Sequence, residues 1–197
     1  MATHWTLGRV RDVPELRDGE LLLRPLRAGD LEARQSHGLD PDVVRAFGGT
    51  PDSEQWRAMS RDEAAAWLAE EFADDGRVAW AVEVDGRFVG HARLSQVRLE
   101  SRKAMYGVGV LDRSLWSRGY GRRITSLVLA HAFETMGLHR VALKVFASQE
   151  RAIRSYLAAG FVREGVEREI HLVDGVWQDD VVMAVLEHEW RDRVGSA

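Results

Sequence analysis

All four prolines, Pro14, Pro25, Pro41 and Pro51, fall within the first 51 residues of this 197-residue chain. Proline locks φ and lacks an amide donor, so it breaks helix interiors and central strands. Beyond Pro51 the chain is free to run through long elements. There the apolar period switches repeatedly between two and about 3.6 residues, which predicts a mixed α/β fold. The length suits a single domain, expected over 19–191, with an irregular leader over 1–18 and a short tail over 192–197.

The element boundaries are marked by turn and cap residues. A first strand is expected over Glu20–Leu26, and short helical pieces over Arg27–Gly38 and Asp40–Phe47. Asp40 stands as N-cap before Pro41. Gly48, Gly49, Thr50 and Pro51 read as a loop. Ser60 and Glu63 have capping-box spacing for a helix. Asp85-Gly86 joins strands Val78–Val84 and Arg87–Leu94, and Asp174-Gly175 joins Phe161–Val173 and Val176–Leu186. Between these hairpins lie strand Ala104–Leu111, helix Tyr120–Met136, strand Val141–Phe146 and helix Glu150–Ala159.

Composition removes several classes of chemistry. With no cysteine, disulfides, thiolate-held zinc, iron–sulfur clusters and thiol nucleophiles are excluded. His and Asp show no metal-ligand spacing, so no metal is expected. The net charge of −4 supplies no global attraction to nucleic acid. No apolar run reaches the ~20 residues of a membrane span, and no signal sequence opens the chain. A cytoplasmic protein without nucleic-acid or membrane partners, monomeric or homodimeric, is the expectation.

Val108–Ile124 carries the most information. A strand leads into a loop holding Gly119 and Gly121, and a long helix begins at once. Glycine lets a ligand approach the backbone, while a helix start offers unbonded N–H groups and a positive dipole end. Arg113, Arg118, Arg122 and Arg123 surround it with one acid, Asp112. That excess of positive charge points to a polyphosphate. It is not a Walker A loop, because neither Lys103 nor Lys144 is placed for one. It is not a dinucleotide fingerprint, because Ile124 replaces the third glycine. The glycines alone leave a plain strand-to-helix turn open.

A second motif narrows the choice. Trp116-x-x-Gly119-x-Gly121 is followed downstream by Arg151-Ala-Ile-x-x-Tyr156-x-x-x-Gly160-Phe161. Together they resemble the GNAT superfamily of N-acetyltransferases, and within it the RimJ/RimL-like ribosomal-protein alanine acetyltransferase branch. The resemblance covers about Leu21–Trp190. It implies a central, mixed, mostly antiparallel sheet of about seven strands, splayed at the donor strand and flanked by helices.

The resemblance also implies site residues. Acetyl-CoA would be the co-substrate, its pyrophosphate cradled by Arg118, Gly119, Tyr120, Gly121, Arg122 and Arg123. The N–H of Val110 or Leu111 would face the thioester carbonyl. Gln149 and Arg151 would lie near the CoA arm, Gln149 standing where the family commonly has Asn. Tyr156 would be the general acid: a phenol can protonate a leaving thiolate held within reach. The family's usual carboxylate base is missing, since Met105 and Tyr106 stand there. Glu83 and His91 are candidates to replace it, and Trp80, His171 and Trp177 are candidates for the acceptor side, with Trp56 and Trp67 as further aromatic surfaces.

The expected reaction is direct transfer in a ternary complex to a primary amine, with a protein N-terminus as acceptor. A small amine such as a polyamine or aminoglycoside stays open, because Glu70, Glu71, Asp74 and Asp75 could form an acidic cleft. Two further alternatives are another donor such as succinyl-CoA, with Arg93 near the acyl group, and a non-catalytic acyl-CoA-binding module.

Overall fold

The structure, a computed structural model, describes residues 13–47, 49, 51–72 and 76–195. Its frame is one eight-stranded sheet of order β1-β2-β3-β4-β5-β6-β8-β7. Chain order gives β1 Leu16–Asp18, β2 Leu21–Pro25, α1 Asp30–His37, α2 Pro41–Ala46, α3 Arg61–Phe72, β3 Val78–Val84, β4 Arg87–Arg98 and β5 Lys103–Val110. Then follow α4 Tyr120–Ala130, β6 Arg140–Phe146, α5 Glu150–Ala159, β7 Val162–Val173, β8 Val176–Leu186 and α6 Glu187–Val194. All pairings are antiparallel except β5 with β6.

Local chemistry accounts for the boundaries. Asp40 Oδ1 accepts from the Asp42 and Val43 amides and starts α2. Ser60 and Glu63 exchange both capping-box bonds at α3. Both hairpin turns place Asp and Gly at positive φ, with Asp85 at 50° and Gly86 at 73°, as a two-residue turn matched to strand twist requires.

Three features depart from the sequence expectations. The sheet has eight strands rather than about seven. The extra one, Leu16–Asp18, comes from the expected leader and pairs with Leu21–Leu23; the leader's first twelve residues lie outside the described region. The expected tail continues α6 to Val194, because Glu189 turns back to accept the Leu186 amide. The Tyr120–Met136 helix changes to a π turn over His131–Thr135, which sequence periodicity does not encode. Of the predicted Gly48–Pro51 loop, Gly48 and Thr50 lie outside the described residues.

One face of the sheet packs on α4, α5 and α6. Trp80, Leu94, Ile124, Leu129, Leu143 and Phe161 are fully buried there. Leu26, Leu68 and Ala81 form a smaller cluster under α1 and α3 on the other face. Among the described residues no helix is long and apolar enough to cross a membrane.

Candidate active site

β5 and β6 run side by side only from Lys103–Met105 opposite Arg140–Ala142. Further on, β5 stays bonded to β4 as far as Val110, and β6 to β8 as far as Phe146. The two central strands are thus drawn apart from both sides. A cavity of about 670 Å³ occupies the wedge. Its α4–α5 side is lined by Gly119, Gly121, Arg122, Ser155 and Tyr156, and its opposite side by Phe47, His91, Arg93, Phe146 and His171.

Strand alternation orients the main chain at the wedge. The Leu111 amide donates to the Val89 carbonyl at 2.8 Å. In an antiparallel ladder the neighbouring residue's amide then points to the other edge, so the Val110 N–H is directed into the wedge. Leu111, buried and bonded to β4, is unavailable to a ligand, which corrects the expectation for that residue. The indole of Trp116 donates to the Val110 carbonyl at 2.9 Å, fixing this end of the strand.

The loop after β5 is built to present amides. Asp112 caps a single 3₁₀ turn, Arg113–Leu115, and Gly119 enters α4 at φ 86°, a left-handed conformation that glycine adopts without a Cβ clash. The Arg123 amide, bonded to the Gly119 carbonyl, is the first within the helix. The amides before it, Tyr120, Gly121 and Arg122, have no intrahelical acceptor and form the positive end of α4.

The four arginines divide. Arg122 lines the cavity. Arg123 instead holds Asp18 and Glu20, each at 2.6 Å, and lies over the Tyr120 ring, while Tyr120 donates to Glu20. Arg123 and the Tyr120 side chain therefore lock α4 to β1 and β2 instead of contacting a phosphate. Arg113 pairs with Asp40 and Asp42. Arg118 is exposed and off the cavity wall. From α5, Gln149 and Arg151 do reach the wall, and the Arg151 guanidinium stacks 3.8 Å from the centre of the Trp116 ring.

Tyr156, half-buried, stands on the cavity wall. Its ring meets Tyr106 and Phe161 edge-on. Removal from water pushes its phenol up to about 12, so it holds its proton throughout the neutral range. Tyr106 is fixed by a 3.0 Å bond to Thr125.

The acceptor-side candidates separate in the same way. Trp80 is fully buried, bonded to the Pro14 carbonyl and edge-on to His131, so it cannot touch an acceptor. Glu83 is held by Arg24 at 2.7 Å and lies off the wall. Trp177 is exposed near the β7–β8 turn and is not on the cavity wall. His91 and His171 do line the cavity. His91 packs on Phe47 and Trp67, and burial, then Arg93, Arg34 and Arg77, pull its pKa down to about 3. It is neutral near pH 7 and too weakly basic to capture an amine proton. Sequence reasoning missed Phe47, Phe146 and Asp180 on the wall. Of these only Asp180 carried a signal, as an acid entering the apolar run Val181–Leu186.

Comparison with known proteins agrees with this geometry. The acetyltransferase (GNAT) domain family matches residues 20–162. The N-acetyltransferase YoaA of Bacillus subtilis is 25% identical over 175 residues, 88% of this chain and 97% of YoaA. A T. thermophilus protein assigned as an acetyltransferase superposes with a TM-score of 0.76 at 30% identity, covering 90% of this chain and 92% of its own. Spermidine N-acetyltransferase from Vibrio cholerae, solved with CoA and spermine, shares the fold with a TM-score of 0.74 at 21% identity, over 88% of this chain and 99% of its own. With a splayed sheet, an amide-presenting loop and a family match across most of its length, the chain belongs to the GNAT acetyltransferases and is an acyltransferase enzyme.

Proposed function

We propose that this enzyme transfers the acetyl group of acetyl-CoA directly to a primary amine in a ternary complex, with a peptide or protein N-terminus as acceptor. The observation that carries this reading is the cavity passing through the sheet, with unbonded amides and Arg122 on one face and an acceptor mouth on the other. The pyrophosphate would sit on the start of α4, and the thioester oxygen would meet the Val110 N–H, which polarises the carbonyl toward attack. Tyr156 would protonate the departing thiolate.

Charge around the cavity favours the N-terminal amine over a polyamine. Arg122, Arg151 and Arg154 line its α4–α5 side, and Arg93 and Lys144, paired with Glu71 and Glu167, line the other, with Asp180 as its one acid among the described residues. Of the acids that could have drawn a polycation, Glu70 and Glu71 are off its wall, Glu71 being buried and held by Arg93 at 2.6 Å, and Asp74 and Asp75 lie outside the described residues. A singly charged α-amine is less repelled than spermidine, the acceptor of the Vibrio relative. With Trp116 heading the loop motif, the RimJ/RimL-like branch is the assignment this reading supports.

The test is thiol release from acetyl-CoA with an alanine-initiated decapeptide, spermidine and kanamycin. The peptide should give the highest kcat/KM. Preference for spermidine would overturn the acceptor assignment, and failure to bind acetyl-CoA in calorimetry would overturn the whole reading. Propionyl- and succinyl-CoA in the same assay settle the donor.

A further inference from the structure

Asp180 occupies an unusual place for a carboxylate. It sits on β8 between β6 and β7, opposite Phe146 and Glu167, and its side chain is only 7% exposed. Burying a carboxylate in a sheet is costly unless a partner compensates it. Among the described residues its side-chain partner is His171, whose Nε2 lies 3.1 Å from Asp180 Oδ2.

β7 is distorted in a way that makes this contact. From Glu167 opposite Asp180, the next pairing is His171 opposite Gln178, leaving two additional residues on β7. Glu169 takes φ 53° within that bulge, and its amide is held by Asp179 at 2.8 Å. In an unbroken register His171 would fall opposite Val176, at the turn. The bulge draws it back toward Asp180, the re-aiming that bulges beside active sites perform. The Phe146 ring then meets the imidazole edge-on at 5.0 Å. All three side chains line the same cavity as Tyr156.

We infer that His171 is the general base of the transfer, with Asp180 as its positioning residue. This rests on the transferase reading above and supplies the base that the donor strand lacks. An ionised carboxylate only accepts, so Nε2 carries the proton donated to Asp180 and Nδ1 is left as the accepting nitrogen. As the amine lone pair forms the C–N bond at the thioester carbon, the C–S bond breaks and its electron pair leaves on sulfur. The sulfur takes the Tyr156 proton, and the proton shed by nitrogen passes to His171 Nδ1. Exchange with water returns a proton to the phenolate and removes one from the imidazolium.

The experiment compares wild type, His171→Ala and Asp180→Asn by thiol release with the three amines named above, alongside calorimetric acetyl-CoA binding. His171→Ala should lower kcat about 100-fold or more while the Kd for acetyl-CoA stays within twofold, and added imidazole should restore part of the rate. Asp180→Asn should lower kcat about tenfold while the KM for acetyl-CoA stays within twofold, the kcat-against-KM split expected when the imidazole loses the acceptor that orients it at 3.1 Å. Lys144, Glu167 and Asp179 also face this part of β7 and are unchanged in both variants. A His171→Ala rate within threefold of wild type, or a loss explained by weaker acetyl-CoA binding, overturns the inference. Thiol release by wild type with none of the amines would instead sink the transferase reading on which it rests.

Discussion

The Trp116 indole donates to the carbonyl oxygen of Val110 across 2.9 Å, joining the loop before α4 to the last residue of β5. Arg151 stacks on the same ring, so one side chain connects β5, the loop and α5. Trp116→Phe keeps a ring for Arg151 but leaves the Val110 carbonyl without its donor. A bond worth about 0.5–1.5 kcal/mol is removed, and the KM for acetyl-CoA should rise about 3–10-fold with kcat little altered. Steady-state kinetics at saturating amine checks this, and an unchanged KM would remove the loop–strand link from the argument.

Arg122 and Arg123 are neighbours in sequence with opposite duties. Arg122→Ala removes a cavity-lining cation, and should weaken acetyl-CoA binding about tenfold while flattening its salt dependence. Arg123→Ala cuts the ties to Asp18 and Glu20. It should leave the Kd within twofold and lower the melting temperature instead. Calorimetry at two ionic strengths with a thermal melt separates them; equal loss of affinity in both variants would contradict the division.

That pair also shows where sequence reading stops. The glycine-marked loop, the Asp40 and Ser60 caps and both Asp-Gly hairpins were legible because each follows from local backbone chemistry, whereas Tyr156 was reached only through the family resemblance of its motif. The division of Arg122 from Arg123 was not, since a helix turns neighbours about 100° apart and the acids that claim Arg123 lie some 100 positions away in sequence. Trp80 was misplaced for a related reason. A strand covered on both faces buries its aromatics, and nothing local to Trp80 says that β3 is so covered. The Asp180 contact depends on a two-residue bulge in β7, which the alternation of β7 does not announce.

Tyr156→Phe tests the acid role. The phenylalanine keeps the contacts with Tyr106 and Phe161 but has no proton to give. kcat should fall roughly 100-fold or more, with acetyl-CoA affinity unchanged. The phenol, pushed up to about 12 by burial, stays protonated well past pH 10, so its ionisation should not cut the wild-type rate below about pH 11. The same shift has a stability consequence. A raised folded pKa contributes stability that is whole below about pH 10 and is lost between 10 and 12. Wild type should therefore lose more stability than Tyr156→Phe across that alkaline window in paired thermal melts.

His91 predicts the opposite limb. Burial and three arginines depress its pKa from 6.5 to about 3, so folding favours the neutral ring. Its contribution is complete above about pH 6.5 and declines as pH falls toward 3, because the unfolded chain gains a proton that the folded one refuses. The slope for one proton is about 1.4 kcal/mol per pH unit, or roughly 2 kcal/mol between pH 6.5 and 5. His91→Phe leaves a ring against Phe47 and Trp67 and abolishes this proton uptake. Urea unfolding of both proteins at pH 7 and pH 5 should show wild type losing about 2 kcal/mol more than the variant. Parallel losses would mean that His91 is protonated in the folded protein at pH 5, and the neutral, non-basic role given to it at the acceptor mouth would fall.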